Sequence, residues 1–403
     1  MIGTGVFTTS GFLLKDLGSP WVVLAAWVGG GLLAGGGALC YGALARRIPE
    51  SGGEYVFLSR TLHPAAGYIA GWISLLVGFS APLAAVAYGI GEYARPWLGG
   101  IPMKLAGSAV LAMFALLHAV DVRRGACLQN WIVAVKLVLL FGFVGLGLSR
   151  IDVLPPAALG SATVPAFAVS LVWISFSYAG WNAAVYLGGE VRDAERTLPR
   201  AMLLGTAIVT ALYLALNAVF VFAVAPEKLA GQLDVGRIAA EALGGVRLAN
   251  AVTAVILLAL ATSASSLIMA GPRVYAAMAV DGYLPRWLAA TTGPPRAAIA
   301  LQCVLALILL WSSTYEMLLT YIGFTLSLST AATVLGLMRL RVREGAVLRV
   351  VGWPWLPFAF VASVLAIAMF TMVREPVASV CGVLTLAAGW LVWWFSSRGH
   401  RHA

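Results

Sequence analysis

Apolar residues run through this chain in long blocks broken only by short polar stretches. A first block, 6–15, is too short to cross a bilayer alone. Eleven longer ones follow at about 20–45, 65–91, 101–120, 127–149, 164–188, 199–225, 247–278, 297–312, 316–338, 353–373 and 377–396. Continuous runs of ~20 apolar residues fit transmembrane helices, whereas barrel strands alternate apolar and polar positions over about ten residues. The pattern therefore predicts an all-α polytopic membrane protein. If a half-helix once preceded the short first block, the total becomes twelve segments with both termini on one side.

Composition agrees. Hydrophobic residues make up 61% and charged residues 10% of the 403 positions, against about 25% charged in soluble domains; the mean hydropathy is +0.93. The net charge of +10 does not point to nucleic acid, because the basic residues come in twos and threes between apolar blocks and form no stripe. They act as topology signals. Seventeen fall on the side carrying both termini and eight on the other, with Lys136 inside a span, so the positive-inside rule puts both termini in the cytoplasm of a multi-pass inner (plasma) membrane protein. Cys40, Cys127, Cys303 and Cys381 show no CxxC pair, and no histidine stands at ligand spacing. No metal, cofactor or disulfide framework is expected. His63 and His118 lie near segment ends and His400 and His402 in the tail, positions that suit solvation or capping. The first residues lack the basic region and cleavage site of a signal peptide.

Two stretches interrupt the helical pattern. Gly3-Thr4-Gly5 heads the first segment, and Phe176-Ser177-Tyr178-Ala179-Gly180-Trp181 sits in the middle of the sixth. Glycines flanking a small hydroxyl residue let the main chain leave the helix and present free N–H groups. Five segments separate the two breaks, and halves with an odd number of segments lie inverted in the bilayer, which brings the breaks together near the midplane. The expected organisation is a first repeat at 1–150 with its first segment partial, a second at 160–341, two C-terminal helices at 352–397 and a cytoplasmic tail at 398–403. Gly29-Gly30-Gly31 and Gly35-Gly36-Gly37 in the second segment predict close helix packing and a pliable helix.

These residues resemble the amino acid–polyamine–organocation (APC) superfamily, particularly its branch akin to L-type amino acid transporters, over essentially the whole chain. Gly3-Thr4-Gly5-Val6-Phe7 is similar to that family's unwound first helix, and Ile48-Pro49-Glu50-Ser51-Gly52-Gly53-Glu54-Tyr55 to its first cytoplasmic loop. Gly71-Trp72, Phe176 to Asn182, Glu190 to Ala201, and Arg273 with Asp281-Gly282-Tyr283-Leu284-Pro285 follow in the family's order. The resemblance implies a leucine-transporter-like 5+5 inverted repeat with two extra helices and a first helix truncated at its N-terminus. Three departures stand out. Only Met1 and Ile2 precede the glycine motif where relatives carry a half-helix, Ala43 stands where an acidic residue is common, and Asp193-Ala194 replaces a frequent Asn-Pro. Two outcomes stay open: if residues encoded upstream of Met1 continue an apolar helix the site is whole, and if they do not, transport by the chain as written is expected to be weak or absent.

A free amino acid needs donors for its carboxylate and acceptors for its ammonium. The N–H groups of Gly3, Thr4 and Gly5 at a helix start suit the carboxylate, and carbonyls freed around Phe176, Ser177 and Ala179 suit the ammonium. The resemblance makes Phe176 an aromatic lid; Ser263, Ser265 and Phe324 are further candidates for the pocket wall. Lys136 lies inside the fifth span, where an ammonium is costly unless it meets a cavity or a partner. In the resemblance, a lysine in this helix takes the place that sodium fills in sodium-coupled relatives and ties the fifth helix to the first and eighth, which implies sodium-independent proton symport or exchange. Glu92, Glu190 and Glu316 all fall at span ends, so no deep acid offers a counter-charge and neutral amino acids are favoured. A cationic amino acid or polyamine exchanger is the alternative, since aromatic contacts also hold cations. A membrane enzyme lacks its polar constellation here, and a channel its filter loops or charged rings. The partners expected are an amino acid, possible coupling protons and the lipid bilayer.

Overall fold

The computed structural model describes residues 2–120, 123–151, 162–289 and 293–399, and among these no strand occurs. Met1, tail residues 400–403 and the side chain of Cys127 lie outside the described residues.

The helices in chain order are α1 (Thr4–Leu17), α2 (Pro20–Arg47), α3 (Glu54–Thr61), α4 (Pro64–Ile73), α5 (Ala81–Ala94), α6 (Met103–Val120), α7 (Arg123–Leu148), α8 (Val164–Tyr178), α9 (Ala194–Ala223), α10 (Pro226–Leu229), α11 (Val235–Val280), α12 (Arg296–Ser312), α13 (Tyr315–Glu344), α14 (Trp355–Arg374) and α15 (Pro376–Gly399). Local chemistry sets several of their ends. Gly18 closes α1 in the left-handed region (φ 65°), and Pro20 opens α2 where its missing N–H has no cost. Thr163 and Thr314 cap α8 and α13 by accepting from the N–H of Ala166 and of Met317.

Among the described residues, nine helical stretches are long and apolar enough to cross a membrane, and Val164–Tyr178 and Arg296–Ser312 are shorter apolar helices. Together they correspond to the eleven blocks of the sequence. The boundaries differ in three places. The sixth block is not one span: α8 stops at Tyr178 and a 3-10 segment, Ala183–Glu190, follows the break. The block expected from 247 is preceded by helix from Val235, with non-helical backbone at Gly244 and Gly245. The third block holds a π-helical stretch, Ser74–Ser80, between α4 and α5. Pro82 follows it, and Ser80 donates its hydroxyl hydrogen to the Leu75 carbonyl at 2.7 Å, so side-chain bonding supports a register that a proline disturbs.

The helices pack as two groups. In the first, α2 lies along α9 and α8, and α1 is wedged against all three. In the second, α5, α6, α11 and α12 pack on one another. α13 touches α8, α5 and α3, while α14 and α15 pack on its outer side. α3 joins the end of α2 to α4 and so bridges the two groups. Some glycines of α2 serve close approach as the sequence predicts: a Cβ on Gly31 would meet the Tyr178 hydroxyl at 3.0 Å, and one on Gly37 the Trp181 ring at 2.8 Å, whereas Gly35 has nothing within 4 Å.

Several buried polar groups inside the first group satisfy one another, since an unpaired one is costly where water is scarce. Trp27 donates its indole N–H to Ser10 Oγ at 3.0 Å, Ser10 donates to Asn217 Oδ1, and Asn217 Nδ2 donates to the Tyr213 carbonyl at 2.8 Å. Tyr213 in turn donates its hydroxyl hydrogen to the Ser177 carbonyl at 3.0 Å. One chain of hydrogen bonds thus runs from α2 through α1 and α9 to the end of α8.

Candidate functional site

α8 leaves helical geometry at Ala179 (φ −50°, ψ 138°) and reverses at Gly180, whose φ of 96° suits glycine alone. α1 starts at Thr4 behind extended backbone at Gly3 (φ −127°, ψ −154°), with no side-chain cap, so its first N–H groups have no partner within the helix. The two ends cross in contact. A Cβ on Gly5 would meet the Cα and Cβ of Ser177 at 2.7 Å, a distance that only a glycine at this position accommodates. Ser177 Oγ lies 3.2 Å from Thr9 Oγ1 and 3.2 Å from the Trp173 carbonyl, which fixes α8 to α1 one turn past the crossing.

A cavity of about 400 Å³ opens at this crossing, within the ~300–1,000 Å³ typical of small-molecule sites. Gly3, Thr4, Gly5, Phe176, Ser177, Ala179 and Ser263 all line it. Ser265 and Phe324 do not. Ser265 turns instead to His118, with its Oγ 2.9 Å from Nε2, and Phe324, 1% exposed, packs against Gly382 of α15. A single residue step on α11, about 100° of rotation, separates the expected Ser265 from Ser266, which does line the cavity; without the rotational phase of that helix the sequence could not choose between them. Of the carbonyls expected to be free, that of Phe176 accepts the N–H of Ala179 at 3.0 Å and that of Ser177 accepts Tyr213. Each retains one lone pair toward other donors.

Lys136, 5% exposed, also lies away from the cavity wall, and its Nζ donates to Thr262 Oγ1 of α11 at 3.4 Å. The contact joins α7 to α11, the eighth segment. On the side of the crossing away from α3, aromatic rings outside the cavity lining pack together. Tyr315 stacks on Phe12 at 6.3 Å between centroids, meets Tyr88 at 5.5 Å and places its hydroxyl 2.8 Å from Thr8 Oγ1. On the α3 side the wall continues through Glu54, Asn182, Tyr186 and Arg273.

Three features of this wall were missed in the sequence. Gly78, Phe79 and Pro82 belong to the π-helical stretch and its exit, and Pro82 was the available signal. Arg273 stands out in the sequence only through the family resemblance. Glu54 reads as a loop acid, yet it is 3% exposed: Oε1 accepts from Tyr41 Oη at 2.6 Å and Asn182 Nδ2 at 3.0 Å, and Oε2 accepts from Ser329 Oγ at 2.8 Å. Burial pushes its carboxyl above the ordinary carboxylate range, and the three donors pull the other way.

The comparisons with known proteins fit this geometry. The human Asc-type amino acid transporter 1 is 27% identical over 96% of this chain and 78% of its own length. The mouse large neutral amino acids transporter small subunit 2 is 28% identical over 95% and 75%, and the mouse b(0,+)-type amino acid transporter 1 is 26% identical over 93% and 80%. A family model described as amino acid permease matches residues 1–395. With the start of α1 crossing the broken end of α8 at a cavity inside an all-helical membrane fold, the chain belongs to the amino acid permease family of the APC superfamily and is a transporter, not an enzyme.

Proposed function

We propose that the chain carries neutral amino acids across the cytoplasmic membrane by alternating access, without sodium, through proton symport or exchange. The observation that carries this reading is the crossing of Gly5 on Ser177 at the cavity. It sets the first N–H groups of α1 opposite the carbonyls at the end of α8, donors for a carboxylate facing acceptors for an ammonium. The breaks head two inverted five-segment halves, 1–150 and 160–341. The α3 side is cytoplasmic, as the excess of basic residues there indicates. The names of the relatives, which include a large neutral amino acids transporter subunit, agree with a neutral substrate.

Lys136 occupies a position where a fixed ammonium can replace a coupling cation, and its hydrogen bond to Thr262 holds α7 on α11. Glu54 is an acidic group on the cavity wall that would suit a cationic substrate, but three donors already engage it. The neutral reading therefore stands ahead of the cationic or polyamine one.

Uptake of a panel of labelled amino acids and a polyamine into proteoliposomes, with and without a pH gradient and sodium, tests the proposal. Neutral amino acids are expected to accumulate or exchange in sodium-free buffer, and Lys136→Ala to lose that activity. Sodium-dependent uptake by the unaltered protein, or unimpaired proton-driven uptake by Lys136→Ala, overturns it.

A further inference from the structure

α3 is only eight residues long, yet it touches both helix groups. Glu54, its first residue, receives Tyr41 from α2, Asn182 from the stretch that follows the α8 break, and Ser329 from α13. Tyr55, its neighbour, donates its hydroxyl hydrogen to Asp281 Oδ2, just past α11, at 2.7 Å. Among the described residues no lysine or arginine forms an ion pair with Glu54. A buried carboxylate held by neutral donors alone depends on all of them, because an element that withdraws its donor leaves the charge short of a bond where water is scarce.

Asn182 is the donor placed to withdraw. It stands three residues after Ala179, so a ligand that engages the α8 break displaces or steadies the segment carrying it. Tyr41 and Asn182 belong to the group of α1, α2, α8 and α9, whereas Ser329 belongs to α13, which also packs on α5. The carboxylate therefore sits where relative movement of the groups would first part its ligands.

We infer that Glu54 is a positioning residue of the transport cycle, a three-point latch that holds the cavity open toward α3 and lets go when the segment after the α8 break moves. This rests on the transporter reading above. Glu54 does not bind the substrate; it sets how much of the protein presents its cavity on the α3 side.

The test is a substrate-free measurement of exposure. Ser327 lines the cavity and Ser149 is exposed elsewhere. The maleimide labelling rates of S327C and S149C are compared in detergent-solubilised protein in the backgrounds of Glu54, Glu54→Ala, Glu54→Gln and Asn182→Ala. Loss of the latch is expected to slow S327C roughly tenfold in Glu54→Ala, the scale of one buried polar bond, and to leave S149C unchanged. Glu54→Gln, which keeps one acceptor oxygen and can donate to Ser329 Oγ, falls between. The Glu54→Ala, Asn182→Ala double variant is no slower than the slower single one. In proteoliposomes the maximal rate falls while KM stays within about twofold. Should Glu54→Ala not fold, Glu54→Gln and Asn182→Ala carry the same expectation. Unchanged S327C labelling in folded variants overturns the latch, and so does parallel slowing of both reporters. Neither result depends on the substrate, so failure of the latch is separable from failure of the transporter reading.

Discussion

Gly5 is the residue on which the site turns. Its missing Cβ is what allows α1 and α8 to cross at backbone distance, because the obstacle includes the Ser177 Cα and not only a side chain that can rotate. Gly5→Ala should therefore force the two breaks apart, at a cost of about 1–3 kcal/mol from overpacking, and weaken substrate binding more than it lowers the melting temperature. Equilibrium binding and thermal melting in detergent check this; unchanged affinity would show that the crossing does not shape the site. Gly5 could be singled out in the sequence only because a second break at Ser177 to Gly180 follows five segments later and both stretches resemble the family's motifs; Gly-Thr-Gly alone suits a turn or a packing contact as well. The placing of Ser265 and Phe324 was not legible, because small and aromatic residues recur around every helix here and only the rotational setting of α11 and α13 decides which face reaches the cavity. Glu54 was illegible for a different reason. Its three ligands, Tyr41, Asn182 and Ser329, come from distant parts of the chain, and nothing local marks a loop acid as buried.

α1 is held as an element by contacts that the apolar pattern could not reveal. Tyr93 of α5 donates its hydroxyl hydrogen to the Phe7 carbonyl at 2.6 Å and accepts the Gly236 N–H at 3.3 Å, so one phenol pins α1 to α5 and to the start of α11. Tyr93→Phe removes both bonds while keeping the ring, and should destabilise the protein by about 1–2 kcal/mol, read as a lower melting temperature in detergent. Asn217, fully buried in α9, serves α1 from the other side by accepting from Ser10. Asn217→Ala strands the Ser10 hydroxyl and opens a small void, with an expected loss of about 1–3 kcal/mol. Asn217→Asp, which keeps the acceptor for Ser10, should recover part of it. Equal losses in Ala and Asp variants would place the effect on the bond to the Tyr213 carbonyl instead. The element boundaries follow the same division between local and distant causes. The extended Gly3 before α1 and the break at Ala179 to Gly180 announce themselves through glycines that favour non-helical backbone, although Thr4 and Gly5, expected to be unwound, are already helical, and helix starts such as Pro20 and Thr163 announce themselves through caps. The 3-10 form of Ala183–Glu190 does not, because its apolar composition suits an α-helix equally well and the surrounding packing selects the geometry, and at Ser74–Ser80 only Pro82, past its end, hints at the π-helical register.

For the whole molecule, orientation in the bilayer follows from where the charges lie once the helices are laid out. The segments joining α2 to α3, α8 to α9 and α11 to α12 end on one side with α3, and this is the side where most of the basic residues gather, Arg47, Arg60, Arg196 and Arg286 among them. The links after α5 and α9 lie on the other side with few. Translocating a basic loop is disfavoured, so the α3 side should stay in the cytoplasm. That assignment also decides which way the cavity faces, since Asn182 and the exposed Arg273 continue its wall toward α3 while the rings of Phe12, Tyr88 and Tyr315 pack together on the opposite side. Single cysteines at Gly99 and at Ser51, both in non-helical links, separate the two orientations. In intact cells a membrane-impermeant maleimide should label G99C at once and S51C only after permeabilisation, with the unaltered protein giving the background from its own thiols. The reverse pattern would place the α3 side outside, turn the cavity outward and make the same geometry a structure poised to receive substrate from the exterior.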